Sequence, residues 1–314
     1  MVSLTLREIP ELGFVRVGRG RVLMSLQPRE LEKSGTVLTR WDPTMRYLNA
    51  YAAHHREWEG EFFITIYDAW REYSWYVPES ERKYVPWTLT LSRFFKSHGA
   101  RREPRFCHRH PDNTIYPILC RPVLTYNRHL KDRGALLIPD AHFITGEFDK
   151  FRRMVETSDM DFDAKPVRDR ILWRGSKNVS ANRYHVRMQA VKATTLSRIR
   201  GLDASFEFMD VPTQLRHPYL LDLDGFASAW SAFYWKMLSR SVVIKHDSGW
   251  EQWYYDSLAP NTHYIPISSL RDVPSILAWC LDHPEECKRI SATASQFASK
   301  IITWKHAVRH YTIA

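Results

Sequence analysis

The chain has 314 residues, 44% of them apolar and 25% charged, which is enough to bury a large core and excludes disordered, collagen-like and coiled-coil classes. Lys and Arg exceed Asp and Glu by 45 − 35 = 10. Excess positive charge favours polyanionic partners: nucleic acid, an anionic membrane surface or a phosphorylated substrate. The charges are scattered with no long basic run, so there is no basic tail.

Asp42-Pro43 reads as an N-cap followed by proline at the first helical position, predicting a helix to about Trp58. Glu61 to Tyr67 is predicted as a buried strand ending at Asp68, and Ala135 to Pro139 as another. Residues 71–133, rich in Pro, Arg and aromatics, give no regular pattern. Glu147 to Glu156 reads as a short amphipathic helix, and Thr157 to Arg170, with Pro166 inside, as a linker. This gives an N-terminal domain over 1–165 and a C-terminal domain over 166–314, with the last helix able to pack back on the first.

In the second part strands alternate with helices. Strands are predicted at Ile171–Trp173, Ser205–Met209, Tyr219–Leu223, Val242–Ile244 and Tyr264–Ile267. Helices are predicted from about Asn182, over Ser228–Leu238 and over Trp250–Leu258, with two more closing the chain. Such alternation predicts an α/β fold with a parallel sheet covered on both faces, which binds ligands at the C-terminal ends of its strands.

Four cysteines (Cys107, Cys120, Cys280, Cys287) in so long a chain do not make a disulfide framework. Cys107, His108, His110 and Cys120 are metal-ligating types, but the second half of a zinc motif is missing and loop residues are the better reading. The first residues, Met-Val-Ser-Leu-Thr-Leu-Arg-Glu, are too polar for a signal peptide, and no apolar run has the length of a membrane span. A reducing, cytoplasmic setting is therefore expected.

Four clusters can carry chemistry. The first is Trp173-Arg174-Gly175-Ser176-Lys177 after a strand, with Arg183 where the next helix begins. Amides freed by glycine, a hydroxyl and several cations make a phosphate cradle; the plainer reading is a turn with exposed basic residues. The second is Asp222-Leu223-Asp224-Gly225, followed by Trp230, Ser231 and Lys236. Asp-x-Asp, here and at Asp159-Met160-Asp161, suggests a divalent metal, yet Asp at a strand-to-helix turn is commonly a cap. With Lys and Arg available to neutralise a diphosphate, no metal is expected. The third is Lys245, then Gln252, Trp253 and Tyr254, where aromatics can line a ligand pocket or simply fill core. The fourth is Asp68 at a strand end in the other half of the chain. An ionised carboxylate there can act as a general base.

In this order the clusters resemble glycosyltransferase family 90, which includes capsule-associated transferases, protein O-glucosyltransferases and lipopolysaccharide-modifying enzymes. The stretch Tyr219–Ile267 carries most of the likeness: Leu-Asp-Leu-Asp-Gly, then Trp-Ser with Lys-Met-Leu-Ser-x-Ser-Val-Val-Ile-Lys, then Gln-Trp-Tyr-Tyr and His-Tyr-Ile-Pro-Ile. Trp173–Ser176 with Arg183 is similar to the family's Arg-Gly-Ser segment. Glu61–Asp68 is similar to its strand ending in a catalytic Asp, with Thr65 and Tyr67 where Asn and Arg are usual. An Arg that animal members place early in the helix after the Asp-Gly loop is replaced here by Ala232 or Phe233. Lys236 matches the bacterial type instead.

The resemblance implies a GT-B-like fold, two Rossmann-like domains facing across a cleft. It implies an inverting transfer from a UDP-sugar without metal or other cofactor, with Asp68 as base. Arg174, Gly175, Ser176, Arg183, Asp224, Gly225, Trp230, Ser231, Lys236, Lys245, Gln252 and Trp253 would hold the donor. The expected acceptor is a glycan or glycolipid of lipopolysaccharide, capsule or another surface polymer, with an anionic membrane surface as a further partner. Two alternatives stand beside it. One is a metal-dependent transferase using Asp222 and Asp224. The other is a non-catalytic nucleic-acid-binding protein, for which no basic cluster or reading module is found.

Overall fold

The computed structural model describes residues 12–28, 36–66, 107–109, 115–117, 123–130, 135–177, 185–225 and 227–313. The chain divides into two compact units. One is Met1–Ile144 with Glu251–Trp253 and Val308–Ala314; the other is Thr145–Trp250 with Tyr254–Ala307.

The first unit holds a mixed five-stranded sheet. Its strands are β1 (Gly13–Gly18), β2 (Arg21–Leu26), β3 (Gly60–Ile64), β4 (Val123–Thr125) and β5 (Ala135–Leu137), in the order β2-β1-β3-β4-β5. The pairs β1–β2 and β1–β3 are antiparallel, and β3–β4 and β4–β5 are parallel. Helix α1 (Thr36–His54) buries Tyr47, Leu48 and Tyr51, and Phe14 meets Phe63 edge to face at 6.1 Å.

Helix α1 begins before Asp42, so Pro43 lies inside it rather than at its first turn. Proline removes one backbone donor there. Thr44 Oγ1 shores up the same stretch, donating to Arg40 O at 2.6 Å and pairing with Tyr126 Oη at 2.7 Å. The C-terminal residues return to this unit: Ile313 N donates to Tyr51 Oη at 3.0 Å, and Tyr311 Oη to Leu137 O at 3.0 Å.

The second unit is an all-parallel sheet of five short strands: β6 (Ile171–Arg174), β7 (Leu202–Ser205), β8 (Tyr219–Asp222), β9 (Val242–His246) and β10 (Ile265–Ile267). Their order is β7-β6-β8-β9-β10. Both faces are buried. Ile171, Trp173, Tyr219, Leu221, Val242 and Ile244 join one core, while Leu172, Leu220 and Val243 on the opposite face are also sequestered. This explains why the strands read as continuous apolar runs.

After the short α2 (Ala141–Ile144) of the first unit, the longer helices are α3 (Glu147–Ser158), α4 (Val186–Thr195), α5 (Ala232–Leu238), α6 (Val273–Asp282) and α7 (Pro284–Ile301) in the second, and α8 (Trp304–Arg309), whose last two residues belong to the first. Gly201, at φ +78°, turns the chain into β7 where a Cβ would lie 2.3 Å from Leu277.

Several predicted elements differ from those observed. The second strand is Leu202–Ser205, not Ser205–Met209; Phe206 packs edge-on against Trp173 and Phe208 is 93% exposed. The segment Trp250–Leu258 is not helical: residues 250–251 are extended and Tyr255–Ser257 forms a 3-10 turn. The chain closes with three helices instead of two. Residues 157–170 lie within the second unit, where the buried Lys165 ammonium donates to Asp159 Oδ1 and Leu215 O, each at 2.6 Å.

Candidate functional site

The sheet of the second unit follows the order 2-1-3-4-5, so the chain reverses direction between β6 and β8. In open α/β sheets the crevice outside the carboxyl ends of the strands at such a reversal receives the ligand. Here it is flanked by Arg174-Gly175-Ser176-Lys177 after β6 and by Asp222-Leu223-Asp224-Gly225 after β8.

Asp222 ends β8 and is the register partner of Lys245 on β9, which puts the two side chains side by side. Lys245 Nζ lies 3.1 Å from Asp222 Oδ2 and 3.2 Å from Asp224 Oδ1. Lys236, from α5, lies 2.8 Å from Asp222 Oδ1 and also donates to Leu221 O at 2.8 Å. Ser248 Oγ donates to Asp224 Oδ2. Asp222, Asp224, Lys236 and Lys245 are all buried.

Burial alone would raise the Asp222 carboxyl. Lys236 and Lys245 outweigh it and hold the group well below the ordinary carboxylate range. Burial likewise opposes the charge on Lys245, but Asp224 and Asp222 together push its pKa up. Lys236 is pulled down by burial, which its share of Asp222 only partly offsets.

The end of β8 and the loop after it are fixed at three carbonyls. Leu221 O takes the Lys236 ammonium. Leu223 O takes Arg187 Nε at 3.0 Å and a second Arg187 nitrogen at 2.8 Å. Gly225 O takes His185 Nε2 at 3.1 Å. These three donors tie the end of β8 and its loop to α4 and α5. His185 Nδ1 accepts from Arg187 N, which fixes the tautomer with its proton on Nε2. Arg187 also lies over the Trp173 ring at 5.6 Å, and burial lowers its pKa. Two ammoniums cancel two carboxylates in the network, and Arg187 leaves one positive charge.

On the β6 side, Arg174 turns to β7 and pairs with Asp203 at 2.7 Å. Gly175 is held against Trp173, where a Cβ would lie 2.4 Å from the indole. Ser176 and Lys177 are exposed. Trp230 is 47% exposed at φ +102°, a strained conformation for a non-glycine residue, while Ser231 is buried. Gln252 and Trp253 belong to the first unit; both are buried, with Trp253 5.3 Å from both Phe143 and Tyr311. Tyr254 is buried as well.

Asp68 and Arg183 lie outside the described residues, as do His110 and Cys120. Among the described residues there is no group of three or more His, Cys, Asp or Glu able to hold a metal ion, and no helix long and apolar enough to cross a membrane. His185, Arg187, Asp203 and Ser248 were not singled out from the sequence. The register of Asp222 with Lys245 is the one feature that strand order alone would have exposed.

The model of the glycosyl transferase family 90 matches residues 122–313, well over half of the chain, and the protein belongs to that family. It is 38% identical over 84 residues to protein O-glucosyltransferase 2 of Danio rerio, a match spanning 26% of this chain and 17% of the relative. It is 31% identical over 88 residues to human protein O-glucosyltransferase 3, spanning 28% and 17%. It is also 28% identical over 86 residues to uncharacterized protein 035R of invertebrate iridescent virus 3, spanning 27% and 8%. The matched stretch thus covers less than a fifth of each relative's length.

Proposed function

We infer that the protein is an inverting, metal-independent glycosyltransferase of GT-B type, moving a hexose or pentose from a UDP-sugar to an acceptor hydroxyl. The observation that carries this reading is the crevice at the β6–β8 reversal. Its β8 loop is locked by buried charges, and its β6 loop carries Gly175, where any side chain would displace the Trp173 ring or the loop itself. In the proposal, Gly175, Ser176 and Arg183 meet the diphosphate, and Gly225, Trp230 and Ser231 line the same crevice. Arg174 contributes from beside Asp203. Preorganised donors of this kind act on the charge that develops on the leaving diphosphate.

Lys236 and Lys245 enter as positioning residues, because their ammoniums are engaged by Asp222, Asp224 and Leu221 O. The same geometry favours transfer without a metal: Lys245 already sits between the two carboxylates that would ligate one. Gln252 and Trp253 are buried within the first unit, so no donor contact is assigned to them. Asp68 is proposed to take the proton of the attacking hydroxyl opposite UDP.

The acceptor is proposed to be a glycan hydroxyl of lipopolysaccharide, capsule or another surface polymer, made at the cytoplasmic membrane face. The relatives' names favour a second reading, glucose transferred to a protein. Release of UDP from UDP-sugars, tested with each acceptor class, distinguishes the two. Asp68→Asn is expected to abolish turnover while UDP still binds; near-normal transfer by this variant would remove Asp68 from the mechanism.

A further inference from the structure

A second concavity of about 710 Å³ lies in the same unit, between α4 and the turn after β10. Its lining residues are Met188, Gln189, Lys192 and Ala193 from α4, Arg198 and Ile199 after it, and Ser269, Leu270 and Arg271. None of the Arg174–Lys177 or Asp222–Gly225 residues lines it. Its volume falls in the range of sites for small organic ligands.

The lining is amphipathic. Met188, Ala193, Ile199 and Leu270 form an apolar floor, and Lys192, Arg198 and Arg271 supply three exposed cations. No Asp or Glu lines the groove. Among the described residues these three cations have no acidic partner, whereas Arg170, Arg174, Lys165, Lys288 and Arg289 in the same unit are all paired.

Two local devices fix where the cations sit. After α4, Ser197 adopts φ +48° and reverses the chain, with Arg198 N returning to Ala193 O at 2.9 Å. Before α6, a capping box locks the turn: Ser269 Oγ accepts from Arg271 N at 3.2 Å and Asp272 Oδ2 from Ser269 N at 3.0 Å. That arrangement commits the neighbouring Asp272 carboxylate to the backbone. Lys192 stands one turn from Met188 on the same face of α4.

We propose that this groove binds an organic phosphate, its anion held by Lys192, Arg198 and Arg271 and its carbon skeleton laid along Met188, Ala193, Ile199 and Leu270. The phosphate is that of a lipid headgroup or of a soluble phosphate ester. The site is separate from the donor crevice, and its occupancy is read without a sugar nucleotide. Failure of the transferase reading would therefore leave it standing.

The test uses the full chain and a variant carrying Lys192→Gln, Arg198→Gln and Arg271→Gln. A control of nearly matched charge carries Lys150→Gln and Arg153→Gln on α3. Binding is measured by sedimentation with vesicles of phosphatidylglycerol and phosphatidylcholine in equal parts, and by calorimetry with glycerol phosphate. Each groove cation removed should weaken vesicle binding about fivefold, with the control close to wild type. Loss confined to vesicles identifies a lipid headgroup. Loss with glycerol phosphate, alone or together with vesicles, identifies a site open to soluble esters. Equal binding by groove variant and wild type to both probes, or an equal loss per charge in the control, overturns the proposal. Unchanged far-ultraviolet circular dichroism and melting confirm that the exposed substitutions leave the fold intact.

Discussion

Replacing Lys245 with Met tests the buried network directly. The side chain is 8% exposed, and its ammonium lies 3.1 to 3.3 Å from three oxygens of Asp222 and Asp224. Methionine fills nearly the same volume, so packing changes little and the charge is what is lost. Asp222 keeps Lys236, but Asp224 keeps only the Ser248 hydroxyl as a direct partner, with the Arg187 charge acting at longer range. Breaking a buried pair from one side costs about 3–5 kcal/mol. At about 2–4 °C per kcal/mol for a unit of this size, melting should fall by roughly 6–20 °C. Adding Asp224→Asn removes the stranded charge and should recover part of the loss. Urea unfolding followed by tryptophan fluorescence reads both variants. A cost under about 1 kcal/mol for Lys245→Met, or strict additivity in the double variant, would show that the network does not hold the β8 loop.

Gly175→Ala forces a Cβ to within 2.4 Å of the buried Trp173 indole, so either the ring or the loop must move. A destabilisation of about 1–3 kcal/mol is expected, with weaker UDP binding in calorimetry; an unchanged midpoint and affinity would show the loop to be slack. His217 is held down to about 4, chiefly by burial, and its Nδ1 has no hydrogen-bond partner among the described residues. Its folded pKa lies below the unfolded value of about 6.5, so the unfolded chain binds the proton first. The stability this supplies is complete above pH ~6.5 and lost as pH falls towards 4. In His217→Gln, melting temperature should decline less steeply across that window, and an unaltered slope would contradict the assignment.

The parallel sheet was legible because strands buried on both faces must be apolar throughout, as Tyr219–Leu221 and Val242–Ile244 are. The crevice was legible because Gly175 and Asp224-Gly225 each follow such a strand. Other readings failed for definite reasons. Phe206 and Phe208 alternate like a strand, but the strand is the less apolar Leu202–Ser205, buried because it pairs with β6. Trp250, Trp253 and Tyr254 have helical spacing, yet Trp253 packs in the first unit's aromatic core. Pro43 suggests a helix start, whereas the Thr44–Tyr126 contact holding that turn arises from residues 82 apart. The lysines were the hardest to read. Lys236 and Lys245 look like free cations in sequence; strand register sets Asp222 beside Lys245, and the packing of α5 sets it beside Lys236.

The central claim is that the crevice between the β6 and β8 loops holds the diphosphate of a sugar nucleotide without a metal ion. Calorimetric titration of UDP in EDTA, with wild type, Ser176→Ala and Arg183→Ala, tests it most directly. UDP is expected to bind despite the chelator, about five- to tenfold more weakly to Ser176→Ala and more weakly still to Arg183→Ala. No binding by the folded wild type in EDTA, or equal affinity in all three proteins, would contradict it.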